Sequence, residues 1–213
     1  MTPPSPTPPS QPPPHRQIRA HFDNETITLY QAYSKPIAEA AVRAQRLSAS
    51  ADFSGTRMTW VKPSWCWMMY RSGYSFKDER QSHILALKMT HANFRKLLSQ
   101  GIVVYHGEKL TPQQREKPIR IQWDPERDPY LNILPYRSIQ IGIGPEISRM
   151  WAEEWVDGIE DVTERARGLK RVLDENGKGE VEVGELVEMS LVPEEREYDV
   201  GEELRGVLEM GGE

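Results

Sequence analysis

The sequence predicts an α+β fold: one domain in which a mixed or antiparallel sheet is packed by helices. Three observations lead there. Pro118 to Asp124 and Arg137 to Ile143 each alternate apolar and polar residues, the signature of half-buried strands with one polar face. Stretches with apolar residues at helical spacing, such as Ile147, Met150, Trp151 and Trp155, are interspersed with strands but form no regular strand-helix-strand repeat. Finally, Arg57 to Tyr74 carries three of the six tryptophans and a Met-Met pair. Such a block buries much apolar area yet needs partners for its polar edges, which places it at a core opening onto a polar site.

Taken in order, residues 1–15 are dominated by Pro, Ser, Thr and Gln and are expected to form a disordered tail. Ile18 to Phe22 alternates as a short strand, Asp23 to Glu25 form a turn, and Thr26 to Tyr33 is β-branched and aromatic enough for a second strand, which suggests a hairpin. Ser34 opens a helix whose early Pro36 is tolerated because first-turn N–H groups lack helical partners. Met58 to Val61 is a strand leading into the Lys62-Pro63-Ser64 corner. Ser64 then caps a short helix carrying Trp65, Met68 and Met69 on one face, and Gly73 ends it. His83 to Met89 is a strand, Thr90 caps a helix through Phe94, Leu97 and Leu98, and Gly101 precedes the apolar run Ile102 to Tyr105. A further helix covers Val162 to Leu173. The folded domain is thus expected over 16–173.

Charge is divided unevenly. Residues 174–213 hold 14 acidic residues against 3 basic ones, so the net charge of -5 hides a body of +6. Residues 174–213 are accordingly expected to be an acidic, disordered tail, with enough aliphatics at Val181 to Val192 for a weak element. One cysteine, Cys66, excludes an internal disulfide and suits a reducing compartment, so a cytoplasmic or nuclear protein is expected. No apolar run reaches the roughly 18 residues of a membrane span, and no membrane partner is expected.

Four stretches, LYQAYS at 29–34, RMTWVKPS with WMMYRSGY up to Tyr74, IQWDPERD at 121–128 and RSIQIGI at 137–143, resemble the family called domain of unknown function 4291. The resemblance spans roughly Ile18 to Thr163. It implies no activity, and Phe22 stands where a tyrosine is expected.

Function must then be read from the polar groups. Arg19, Tyr70 and Arg71 are candidate catalytic residues; Lys62, Ser72, Tyr74, Arg120, Gln122, Arg137 and Gln140 are candidate ligand-binding residues. Arginine forks recognise phosphate in bidentate fashion, and Tyr or Trp can hold a base or nicotinamide ring. This inventory suits an enzyme on a nucleotide-like substrate, a nucleotide-dependent transferase resembling ADP-ribosyltransferases, with NAD as the cofactor to test. The run Tyr105-His106-Gly107 also occurs in that class. The alternative is non-catalytic binding of RNA or another single-stranded nucleic acid by the same groups. A third reading, a protein-interaction module, requires exposed tryptophans. Asp124, Glu126 and Asp128 could ligate magnesium or simply build a turn, and Cys66 reads as a buried small residue. No P-loop, GxGxxG, HExxH or GxSxG motif is present.

Overall fold

The computed structural model describes residues 15–105 and 107–211. The expected Pro-rich tail, apart from His15, and His106 lie outside the described residues.

The architecture is α+β. One antiparallel sheet has the order β2 (Thr26–Tyr33), β4 (His83–Thr90), β8 (Gly158–Asp161). A second has the order β3 (Thr59–Val61), β7 (Ile133–Ile143), β6 (Ile119–Arg127), β5 (Gly101–Val103), with only β5 and β6 parallel. The two sheets are stitched where β2 passes the end of β3: Tyr30 N–H donates to Lys62 O at 2.7 Å, and Lys62 N–H returns to Tyr30 O at 3.3 Å.

Between the sheets lies the larger core. Ile121 and Ile141, register partners on β6 and β7, meet Leu29 of β2, Leu87 of β4 and Phe94 of helix α3 (His91–Ser99). The opposite face of β2 and β4 presents Tyr30, Ile84 and Ala86 to a second core made with α2 (Trp65–Ser72) and α6 (Thr163–Asn176). Burial on both faces explains why β4 reads as a nearly continuous apolar run rather than an alternation. The helix caps follow the sequence: Ser64 Oγ accepts from Trp67 N–H at 3.1 Å, and Thr90 Oγ1 accepts from Asn93 N–H at 3.2 Å. Gly73, at φ 57°, closes α2 with its N–H on Met69 O. No helix among the described residues is long and apolar enough to cross a membrane.

Two expectations need correction. Strand β1 (Arg19–Ala20) does not form a hairpin ladder with β2; it pairs with β9 (Arg196–Glu197), and only a Phe22–Ile27 bridge joins it to β2. The turn between them does form as expected, with Asp23 Oδ1 accepting from Glu25 and Thr26 N–H at 2.8 and 2.7 Å.

The acidic stretch from 174 is also folded over its described length. It carries α7 (Val183–Glu188), β9 and α8 (Glu202–Val207), and it buries Leu186 in the second core and Tyr198, Val200 and Leu208 in the first. Trp123 Nε1–H donates to Leu208 O at 2.9 Å, fixing the end of the strap to the sheet. The carboxylates mostly face water while these few aliphatic and aromatic side chains supply the apolar anchors.

Candidate functional site

A pocket of about 570 Å³ opens where the polar face of β6 and β7 is overhung by α2 and by the segment leading into β3. Its floor is the register pair Gln122 and Gln140, which face the same way because both strands turn their isoleucines into the core; Gln140 Nε2 donates to Gln122 Oε1 at 3.1 Å. Two half-buried tryptophans, Trp60 and Trp67, line it. Gly142 makes room for Trp60: a Cβ there would meet the Trp60 ring at 2.8 Å and Met58 Sδ at 2.9 Å.

Gln31, on β2, supplies a further side. Its Nε2 donates to Thr59 Oγ1 at 2.5 Å, while its buried Oε1 has no hydrogen-bond partner among the described residues. A buried acceptor left open is costly, and this one belongs to a residue that lines the pocket. A smaller cavity of about 290 Å³ shares Gln31, Arg57, Thr59 and Arg80 with the first and extends under Tyr33 and Phe53. The site is therefore two-lobed, with the buried Tyr33 hydroxyl in the second lobe.

Three arginines line the larger lobe: Arg57, Arg71 and Arg80. Arg71, in the last turn of α2, is exposed and donates to Gln81 Oε1 at 3.0 Å. Neither Arg57 nor Arg71 forms an ion pair with a described carboxylate, whereas Arg80 approaches Asp78 at 3.4 Å from a largely solvated position. The described lining of the larger lobe includes no Asp, Glu, His or Cys; Asp52 lines the smaller one. The pocket is thus equipped with cationic forks, amides and indoles, a set that recognises anions and flat rings.

Of the residues expected from sequence, Arg71, Gln122 and Gln140 meet here. The others serve elsewhere. Arg19 bonds Gln17 Oε1 and Glu195 O, Arg120 bonds Lys117 O and Arg115 O, and Arg137 bonds Trp123 O at 2.9 Å. Tyr70 is exposed with Arg127 stacked 3.9 Å from its ring centroid. Ser72 is buried and donates back to Met68 O at 2.8 Å, and Tyr74 is buried with its hydroxyl on Pro129 O at 2.6 Å. Lys62 is fully buried beside the site rather than in it, its Nζ 4.4 Å from the Trp67 ring centroid. The residues missed were Gln31, Arg57, Trp60, Trp67 and Arg80. Arg57, Trp60 and Trp67 lie in the aromatic block itself, so its density was their signal; Gln31 lies in the LYQAYS stretch, and Arg80 carried no signal.

Behind Trp67 and the N-terminus of α2 runs a buried polar cluster. Lys62 Nζ lies 3.4 Å from Asp124 Oδ2 and 3.3 Å from Ser138 O. Glu126 accepts from Ser64 Oγ at 2.7 Å, and Glu195, delivered by the acidic strap, accepts from Trp65 N–H at 2.6 Å. Burial and the neighbouring Glu126 raise the Glu195 carboxyl well above its ordinary range. Burial lowers the Lys62 ammonium to about 8 despite the opposing pull of Asp124 and Glu126. Cys66 is buried, and burial pushes its thiol up, away from the reactive thiolate. Asp128 accepts from Asn132 N–H at 2.8 Å and so builds the β6–β7 turn. Asp124, Glu126 and Asp128 have these separate tasks, and no group of three His, Cys, Asp or Glu among the described residues is placed to hold a metal ion.

The family model described as domain of unknown function (DUF4291) matches residues 17–198. The match includes the strap as far as Tyr198, beyond the point at which the domain was expected to end. No curated protein matches the chain.

Proposed function

Because the chain belongs to the family described as domain of unknown function (DUF4291), we propose its function from the pocket: it binds a nucleotide-like, phosphate-bearing ligand. In this reading Arg57, Arg71 and Arg80 take the phosphates, Trp60 or Trp67 holds a flat ring, and Gln31, Gln122 and Gln140 meet polar edges. The observation that carries it is the convergence of two arginines free of carboxylate partners among the described residues with two indoles, over a floor of amides. The finer reading is a transferase acting on NAD, whose two nucleotide halves suit a two-lobed site. Arg71 keeps its expected role of binding phosphate, while Arg19 and Tyr70 lie outside the pocket lining and are dropped from the site.

Thermal-shift titration with NAD, ATP, GTP and ADP-ribose tests this. A ligand at 100 times its Kd adds about 2.7 kcal/mol of stability, which for a chain of this size raises Tm by roughly 5–10 °C. No shift with any of the four overturns the proposal. For a ligand that binds, incubation with NAD labelled in the ADP-ribose moiety separates transfer from binding.

The exposed Tyr70 and Phe76, each with an arginine over its ring, favour a second reading, in which bases of a single-stranded nucleic acid stack beside the pocket. That binding must weaken steeply with salt, and undetectable or salt-independent binding to mixed RNA and DNA oligomers sinks it. The protein-interaction reading has lost its support: all six tryptophans are buried or half-buried.

A further inference from the structure

Lys62 sits one step along the sheet from the pocket floor. Its amine lies over Asp124 and Ser138, which are register partners on β6 and β7, and the next pair on the same face is Gln122 and Gln140. Two residues along a strand span about 7 Å. The ring that touches the amine, Trp67, is itself part of the pocket lining, so the amine, fully buried here, meets the cavity only if that ring moves.

We propose that Lys62 is an amine nucleophile held behind the Trp67 wall, and that it forms an imine with a phosphate-bearing aldehyde or ketone bound in the pocket. This rests on the phosphate-binding reading above and narrows its substrate class to carbonyl compounds, such as the open-chain form of a phosphorylated ribose or the reducing ribose of ADP-ribose.

The Lys62 amine has two polar contacts besides the Trp67 ring. Its contacts, at 3.4 and 3.3 Å, are long beside the roughly 2.7–2.9 Å of a tight charge-assisted hydrogen bond. Burial outweighs the attraction of Asp124 and Glu126, and with the ammonium lowered to about 8, roughly a tenth of the amines are neutral at pH 7. Desolvation of this kind is a standard route to a reactive lysine. In the reaction the amine lone pair forms a bond to the carbonyl carbon, and the carbonyl π pair, with a proton from the amine, becomes a hydroxyl. That hydroxyl leaves as water with the second amine proton, and the nitrogen closes the C=N bond. Asp124 lies near enough to relay these protons, and no oxidant or reductant is consumed.

Pyridoxal 5′-phosphate, which carries both an aldehyde and a phosphate, is the probe. The full chain is incubated with it, the imine is reduced with borohydride to a stable secondary amine, and the modified lysine is located by peptide mass mapping. Lys62 should be modified at least tenfold faster than the exposed Lys35 and Lys77. Pyridoxal without the phosphate, or Arg71→Ala with the phosphate probe, should slow Lys62 modification at least tenfold while leaving Lys77 unchanged. Modification confined to exposed lysines, or Lys62 labelling indifferent to the phosphate, overturns the inference; neither outcome depends on a Lys62 variant folding. Nucleotide binding with Lys62 unlabelled refutes this inference alone. Phosphate-dependent labelling of Lys62 with no nucleotide binding or protection supports it and refutes the nucleotide reading instead.

Discussion

Arg71→Ala separates a ligand-binding arginine from a structural one. The side chain is exposed and donates one hydrogen bond to Gln81 Oε1 at 3.0 Å. Losing an exposed hydrogen bond while gaining alanine, the best helix former, should move folding stability by about 1 kcal/mol or less. A buried ion-pair partner would behave otherwise, since its removal strands a carboxylate and costs about 3–5 kcal/mol. The ligand side of the ledger is larger. A hydrogen bond to a charged group contributes about 1.5–3 kcal/mol, so affinity for a phosphate ligand should fall roughly 10- to 100-fold. Arg71→Lys keeps the charge but not the planar fork and should fall between. Urea melts of the three proteins, with calorimetric titration of whichever nucleotide shifts Tm, give both quantities. A variant destabilised by several kcal/mol that binds its ligand with unchanged Kd would refute the reasoning.

Two further expectations concern the pocket wall and the strap. Gly142→Ala forces a Cβ to within 2.8 Å of the Trp60 ring, so overpacking should cost about 1–3 kcal/mol and drive Trp60 toward the cavity, weakening ligand binding; a melt and titration matching the parent disproves the close fit. Glu195 has a folded-state pKa raised above its unfolded value, so its stabilising contribution is fully present below the unfolded pKa of about 4.3 and is lost as pH rises through the raised value. Glu195→Gln keeps the acceptor for Trp65 N–H and cannot ionise. Its Tm relative to the parent should therefore climb as pH rises above about 4.3, and parallel Tm curves would show that folding does not raise the Glu195 carboxyl.

How much of this was legible depended on whether a residue's neighbours in space were also neighbours in pattern. Gln122 and Gln140 could be paired because two alternating strands show which side chains share a face, and Ser64, Thr90 and Gly73 cap helices in ways that each motif encodes locally. Gln31 and Arg80 could not be found. They enter the pocket only because β2 passes the end of β3 through the Tyr30–Lys62 pairing and because the loop after α2 brings Arg80 back, and neither contact leaves a periodic trace. Lys62 was placed correctly along the chain but on the wrong side of a wall, since the side chain that covers it, Trp67, comes from the following helix. Tyr74 and Ser72 show the converse: polar edges in an aromatic block that could have served a ligand are spent on Pro129 O and Met68 O.

The strap was misjudged for a different physical reason. Disorder read from composition averages charge over a window, while folding depends on whether a few apolar side chains reach a waiting surface. Leu186, Val192, Tyr198, Val200 and Leu208 are buried, yet their irregular spacing gives neither a helical nor a strand period. Their anchoring has a consequence at the site. It carries Glu195 to the first N–H of α2, the helix that presents Trp67 and Arg71 to the pocket, so the acidic segment helps to set the position of the groups proposed to bind the ligand. A carboxyl there suits the helix N-terminus when ionised and suits its buried surroundings when protonated. Burial and Glu126 outweigh the Trp65 N–H, Arg19 and Lys62 in raising this carboxyl, so the amide in Glu195→Gln, rather than a second carboxylate such as aspartate, is the replacement that should preserve the pocket.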